Sequence, residues 1–108
     1  MQESTRYHIL KQIQDNPSIT QRELSKKTGL SLGKTNYCLR ALIDKGLVKS
    51  RNFRNANNKS SYAYILTPQG IEEKAKVTYR FLKQKLAEYN ELQKEIEELR
   101  QEVENSGN

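Results

Sequence analysis

A chain of 108 residues is long enough for one domain, and 34% hydrophobic against 30% charged residues leaves that domain a thin core. The 19 Lys and Arg residues outnumber the 13 Asp and Glu residues. This excess favours a polyanionic partner such as nucleic acid and argues against an enzyme for acidic substrates. Residues 1–67 carry a net charge of +8 and residues 68–108 a net charge of −2, which predicts an anion-binding surface in the first two thirds.

Several site classes are not supported by the residues present. A single cysteine, Cys38, excludes an internal disulfide, and with one histidine, His8, it cannot build a zinc site. We expect Cys38 to pack as a small buried residue and His8 to be an ordinary helix residue. No apolar run suits a membrane span or a signal peptide, and no catalytic set can be assembled. The sequence predicts a cytoplasmic protein that is not an enzyme and uses no metal or cofactor.

The first two predicted helices are short. Ser4–Gln14 is amphipathic, and the Asp-Asn-Pro-Ser turn at 15–18 ends it, because the residue before proline avoids the helical region. Thr20 and Glu23 have the spacing of a capping box, which predicts a second helix from this point. Gly29 is suited to the left-handed conformation that ends a helix, so this helix can reach only about residue 28.

A third helix is predicted from Leu32 to Lys45. Ser31 caps it, and Gly46 ends it. Leu39, Leu42 and Ile43 form the inward stripe of this helix.

Residues 47–53 and 61–67 are rich in β-forming side chains and predict a hairpin around a polar tip at 54–60. Tyr62 and Tyr64 share one strand face, and we expect both to pack beneath the hairpin rather than stack on bases.

The last predicted helix is long. Thr67 caps it, Pro68 occupies its first position, and no breaker follows until residues 105–108, which we expect to be a disordered tail. Apolar residues repeat in heptads through residues 71–104, over roughly 50 Å, which predicts a coiled coil. The residues predicted to form the dimer contact are Leu82, Leu86, Tyr89, Leu92, Ile96, Leu99 and Val103.

The charges of this helix are segregated. Residues 74–85 carry five basic and no acidic side chains, and residues 88–104 carry seven acidic and two basic ones. We therefore expect two such helices to pack antiparallel, because a parallel pair would align like charges. The alternative is that the basic half touches DNA phosphates and the acidic half stays solvated.

The order of elements is that of a winged helix-turn-helix at 1–70 followed by a coiled-coil helix, in a mainly α fold with a small β-hairpin. Residues 31–48 resemble the recognition-helix segment of MarR-type transcription factors, and Leu-Thr-Pro-Gln-Gly at 66–70 is similar to the point where that family leaves its wing. Gly-Lys at 33–34, Asn-Tyr-Cys-Leu at 36–39 and Asn-Phe-Arg-Asn at 52–55 resemble the exopolysaccharide-associated branch. The resemblance implies a homodimeric regulator of double-stranded DNA with exopolysaccharide genes as targets.

The chain departs from the larger MarR proteins at two points. Asn-Asn-Lys stands at 57–59 where they carry Asp-x-Arg at the wing tip. The chain is also too short for the terminal helices that form their ligand pocket, so no small-molecule effector is inferred.

In this fold the third helix enters the major groove, where donor and acceptor patterns distinguish the base pairs. The predicted contacts on that helix are Ser31, Gly33, Lys34, Asn36, Tyr37 and Arg40. Gly33 would allow close backbone approach. The predicted phosphate contacts at the start of the second helix are Gln21 and Arg22. The predicted wing contacts are Arg51, Arg54, Asn55 and Lys59. The alternative for the wing is that its charges only keep the tip soluble.

One winged domain makes few contacts, so a dimer on half-sites about 34 to 36 Å apart is expected. The sequence thus predicts a sequence-specific transcriptional regulator. The competing hypothesis is a protein-interaction adaptor that keeps the fold and uses the coiled coil and a basic face to bind another protein.

Overall fold

The computed structural model describes the backbone of residues 1–54 and 60–107 and the side chains of residues 1–51 and 62–107. In chain order the elements are α1 (Glu3–Asp15), α2 (Gln21–Thr28), α3 (Leu32–Asp44), β1 (Val48–Arg54), β2 (Ser60–Leu66) and α4 (Pro68–Ser106). This order confirms the predicted fold class, a mainly helical chain with one two-stranded hairpin.

Local side-chain bonds set the helix starts. The Thr20 hydroxyl accepts a hydrogen bond from the Glu23 amide at 3.2 Å, and the Glu23 carboxylate accepts one from the Thr20 amide at 3.3 Å. This is the predicted capping box. Ser31 accepts from the Lys34 amide at 3.1 Å and so caps α3. Gly29 has a φ of +75°, which explains why α2 stops after eight residues.

The hairpin is longer than predicted. β1 and β2 pair antiparallel from Val48 opposite Leu66 to Arg54 opposite Ser60. The expected seven-residue tip at 54–60 is therefore wrong at both of its ends. Backbone ladder bonds do not require apolar side chains, so the pairing continues into polar sequence.

The core joins the helices and the hairpin. Its buried residues come from all six elements and include Ile9, Leu10, Ile13, Leu24, Leu39, Leu42, Val48, Ala63 and Val77. Cys38 is 1% exposed, as predicted. Leu39 and Leu42 are buried and Ile43, although only half-buried, packs against the core, as the predicted inward stripe of α3 requires. Thr35, which was not part of that stripe, is completely buried. Thr35 is tolerated there because its hydroxyl donates to the Ser31 carbonyl at 2.8 Å.

The first four turns of α4 are attached to α1. The rings of Tyr7 and Phe81 stack with centroids 4.8 Å apart. Beside them the Arg80 guanidinium bridges Glu3 and Glu73, and Glu73 also pairs with Arg6 at 3.3 Å. These contacts set the direction in which α4 leaves the domain.

Gly70 allows α4 to begin against the hairpin. A Cβ at this position would overlap the carbonyl oxygen of Leu47, so any other residue would push the helix away. The Thr67 hydroxyl caps α4 by accepting from the Gly70 amide at 3.0 Å, and it also donates to the Gly46 carbonyl. The first turn of α4 is thus locked to the segment between α3 and β1.

At its far end α4 runs to Ser106 and spans about 58 Å for its 39 residues. The predicted disordered tail was therefore wrong at residues 105 and 106. The Ser106 hydroxyl donates to the Glu102 carbonyl at 2.8 Å, which satisfies a helix-end acceptor, and Gly107 provides the C-cap.

Candidate nucleic-acid interface

α3 presents two opposite faces. Thr35, Cys38, Leu39 and Leu42 are buried on one side. The predicted DNA-reading residues all lie on the exposed side or at the exposed start of the helix, and these are Ser31, Gly33, Lys34, Asn36, Tyr37 and Arg40. Together they offer hydroxyls, an amide and two cations, the groups that can pair with base edges and phosphates in a major groove.

Two features of the first two turns of α3 suit close approach by a large partner. A Cβ built on Gly33 meets no protein atom within 4 Å, so this glycine is not required for packing in the described part of the chain. Tyr37, one turn further on, is 68% exposed. Leu32 is also 45% exposed and was not among the predicted contacts. Its apolar side chain could meet a thymine methyl group.

The start of α2 is linked directly to α3. The Gln21 side-chain amide donates to the Leu32 carbonyl at 3.2 Å and so braces the turn between the two helices. Gln21, which was predicted as a phosphate contact, therefore has a structural role within the chain. Arg22 is exposed, and a guanidinium at a helix N-terminus suits a phosphate.

The predicted wing contacts are covered only in part by the structure. Arg51 is exposed on β1, where it lies opposite Ala63. The backbone of Arg54 pairs with Ser60, but the Arg54 side chain is outside the described part of the chain. Asn55 and Lys59 lie outside the described residues altogether.

An open cleft of about 320 Å³ separates α3 from the hairpin. Asn36 and Arg40 line it from the helix, and Ser50, Tyr62 and Tyr64 line it from the strands. The phenol of Tyr64 is buried, which raises its pKa, and the neighbouring Tyr62 raises it further. Tyr62 is 58% exposed, so the expectation that both tyrosines pack beneath the hairpin is wrong for Tyr62.

The difference between the two tyrosines follows from the length of the hairpin. Tyr64 pairs with Ser50, close to the domain, whereas Tyr62 pairs with Asn52, one full repeat nearer the tip. Strand residues two apart share a face but lie almost 7 Å apart, so only the inner one reaches the core. The alternation of Tyr62 and Tyr64 was visible in the sequence, but the point where the core ends was not.

The basic first half of α4 is largely engaged within the chain. Arg80 bridges two carboxylates of its own domain, and Lys85 pairs with Glu88 at 3.1 Å. The ammonium of Lys74 lies 5.7 Å from the centre of the Tyr7 ring, and that of Lys83 lies 5.5 Å from the Tyr79 ring. Among the described cations, Arg40 of α3 lines the cleft. Lys49 and Arg51 of β1 lie on the opposite face of the hairpin, because their cross-strand partners are Ile65 and Ala63 rather than the cleft-lining tyrosines.

Within residues 1–54 and 60–107, no cluster of His, Cys, Asp or Glu has a geometry that could hold a metal ion. None of the helices in this part of the chain has the length and apolar character needed to span a bilayer.

Residues 2–49 match the family model described as winged helix-turn-helix DNA-binding. This segment contains α1, α2 and α3 with the exposed face described above, and the hairpin follows it directly. The domain is a winged helix-turn-helix. The comparison with curated protein sequences gave no match.

Solved structures share this fold at low sequence identity. A PadR-like transcriptional regulator from Bacillus cereus is 20% identical with a TM-score of 0.74, over 82% of this chain and 90% of that chain. MepR, a transcription regulator of the Staphylococcus aureus multidrug efflux pump MepA, is 19% identical with a TM-score of 0.61, over 81% of this chain and 63% of that chain. A variant of Lactococcus lactis ZitR is 24% identical with a TM-score of 0.63, over 82% of this chain and 58% of that chain. These likenesses cover 81% or more of this chain, so the shared fold extends beyond the matched segment.

Proposed function

We propose that this chain is a sequence-specific transcriptional regulator that binds double-stranded DNA as a homodimer. In this proposal α3 enters the major groove, and the hairpin contacts the flanking backbone or minor groove. The observation that carries the proposal is the exposed face of α3, which concentrates Lys34, Asn36, Tyr37 and Arg40 on a domain matching a DNA-binding family model.

Each side chain in the proposal has a chemical role. Lys34 and Arg40 suit guanine, and Asn36 suits adenine, because these pairings match donors and acceptors on the base edges. The two cations also suit phosphates beside the groove. Arg22 at the start of α2 and Arg51 on β1 would hold the backbone on either side and so set the register of α3.

The proposed dimer uses α4. Beyond Phe81 the apolar side chains of this helix are exposed, and the described residues of the same chain do not cover them. A single domain makes too few base contacts for tight and selective binding, and two copies would double their number. The resemblance to the exopolysaccharide-associated branch makes exopolysaccharide genes the proposed targets.

Binding to duplex DNA as a function of salt tests the proposal. A regulator that neutralises phosphates should lose affinity steeply and linearly on a log–log plot as salt rises. Lys34→Ala and Arg40→Ala should each weaken specific binding by about 1 to 3 kcal/mol. The control is Lys27→Ala, which removes the same charge from the exposed last turn of α2, away from the face of α3. An unchanged affinity in both α3 variants would refute the assignment of α3 as the reading helix.

Selection of bound fragments from genomic DNA would identify the operator. The expected result is an inverted repeat, because a symmetric dimer presents the same reading surface twice. Enrichment of promoters unrelated to exopolysaccharide synthesis would remove the proposed targets and leave the DNA-binding proposal intact.

A protein-interaction adaptor is the second candidate, and the long exposed apolar face of α4 favours it. An adaptor of this kind would show no affinity for any duplex at low salt and would bind a different protein through α4. The salt titration therefore separates the two candidates.

A further inference from the structure

An apolar seam, interrupted by Lys85, runs along α4. It is defined by the large exposed side chains Ile71, Tyr79, Leu82, Leu86, Tyr89, Leu92, Ile96, Leu99 and Val103, with exposures between 41% and 70%. Ala75 and Thr78 lie on the same stripe. The domain packs mainly on a different face of the helix, through Val77 and Phe81. Beside α1 the seam is therefore still exposed at Ile71, Ala75 and Tyr79, and Thr78 is half-buried.

Resting on the proposed homodimer, we infer that the occupant of this seam is the α4 of a second copy, antiparallel and in one register. In that register Leu82 faces the partner's Leu92, and the overlap extends from Ile71 to Val103, about 48 Å. The two-fold axis passes beside residue 87. The acidic end of each α4 therefore lies along the first turns of the other.

The apolar layers fit in this register. Two further pairs place a smaller side chain against a larger one, Ala75 with the partner's Leu99 and Thr78 with the partner's Ile96. A third pair, Ile71 with the partner's Val103, fills each end of the interface. Lys85 lies seven residues after Thr78 and seven before Leu92, so it is the one cation within the heptad rows of the seam. It faces the partner's Tyr89, over whose ring a lysine is favourable. In a parallel pair in register, Lys85 would instead face its own copy.

The flanking charges fit as well. On one side of the seam Lys74 lies opposite the partner's Glu102, and on the other Glu72 lies opposite the partner's Arg100. Symmetry repeats both, so a dimer has four such ion pairs. A parallel pair would instead align two segments, residues 88–104, that each carry a net charge of −5.

Glu88 is the one acidic side chain that meets its own copy near the axis. Within each chain Lys85 donates to its carboxylate at 3.1 Å and Gln84 donates at 3.3 Å. These bonds hold the pKa of Glu88 below its usual value and supply a compensating charge beside it. The central repulsion is therefore reduced before the two helices meet.

A charge-reversal cycle measured by sedimentation equilibrium tests the register. Lys74→Glu and Glu102→Lys should each raise the dimer dissociation constant about 10-fold, because each removes two ion pairs and creates two repulsions. The double variant K74E/E102K should return to within about threefold of the wild type. Residues 74 and 102 of one chain lie about 42 Å apart along α4, so a parallel pair gives additive effects without rescue.

The control for this cycle is Lys76→Glu with Glu98→Lys. Both positions are exposed and carry the same charge types, but they lie away from the seam, so no coupling is expected. An additive result for Lys74 and Glu102, or coupling of equal size in the control pair, overturns the register.

Cysteine crosslinking provides an independent measurement. Ile71→Cys combined with Val103→Cys should form a covalent dimer on oxidation, and Val103→Cys alone should not. Cys38 is buried and does not interfere. Efficient crosslinking by Val103→Cys alone shows a parallel pair and overturns the inference.

A chain that stays monomeric at all concentrations overturns both the register and the dimer, whether or not another protein then binds the seam. DNA binding is measured separately, by anisotropy on a single half-site. If the charge-reversal pair shows no coupling but the chain still binds the half-site, the register is wrong and the proposed recognition by α3 stands. If the pair is coupled but the chain does not bind DNA, the register stands and the proposed recognition is wrong.

Discussion

Replacing Gly33 by alanine should stabilise the free protein and weaken its binding to DNA. Glycine lowers helix stability relative to alanine, by roughly 0.5–1 kcal/mol in a helix interior. Gly33 is the second residue of α3, in the first turn, so we expect the lower part of that range, about 0.5 kcal/mol. The new methyl group meets no protein atom within 4 Å, so no steric cost offsets the gain.

The effect on DNA binding should have the opposite sign. If the backbone of the first turn of α3 lies against the groove wall, a methyl group at Gly33 occupies the space of a DNA atom and moves the helix outward. Lys34 and Asn36 would then lose part of their contact with the bases. We expect about a tenfold loss of specific affinity, which corresponds to about 1.4 kcal/mol.

Two measurements on the same preparation check this prediction. Thermal unfolding should show a melting temperature about 2–4 °C higher than that of the wild type. Titration of the selected operator should show the loss of affinity. Asn90→Ala is the matched control, because it also improves helix propensity at an exposed position but lies on α4, away from α3. A Gly33→Ala protein that binds the operator with unchanged affinity would refute the proposed close approach.

Three further substitutions test other parts of the structure. Gly70→Ala should destabilise the protein by about 1–3 kcal/mol, because its Cβ overlaps the Leu47 carbonyl, and a chemical denaturation curve like that of the wild type would contradict this. Tyr62→Ala should leave the free energy of unfolding within about 0.5 kcal/mol of the wild type, since the side chain is 58% exposed. It should weaken DNA binding several-fold if the cleft between α3 and the hairpin holds the DNA backbone. Arg22→Ala should weaken binding about equally for specific and random duplexes and lower the salt slope by about one unit, and a loss confined to the operator would assign it to base reading instead.

Much of the fold can be predicted from local signals in the sequence. Thr20 with Glu23, Ser31, Gly29 and Thr67 are caps whose partners lie within a few residues, so chain order alone predicts the helix starts and the end of α2. The exposed face of α3 was predictable for the same reason. One face of a helix is read directly from its periodicity, and the polar residues on the opposite face are the candidates for DNA contact.

The sequence by itself determined the order of the elements, the two faces of α3 and the heptad pattern of α4, because each depends on residues close together in the chain. Only the tertiary structure decided that Tyr62 is exposed while Tyr64 is buried, and that Thr35 is buried while Ile43 is only partly so. It also showed that Gly70 is required by Leu47 and that Arg80 bridges Glu3 and Glu73. In each of these cases the environment of the side chain is supplied by another element of the fold, and periodicity along one element contains no information about where its neighbour ends.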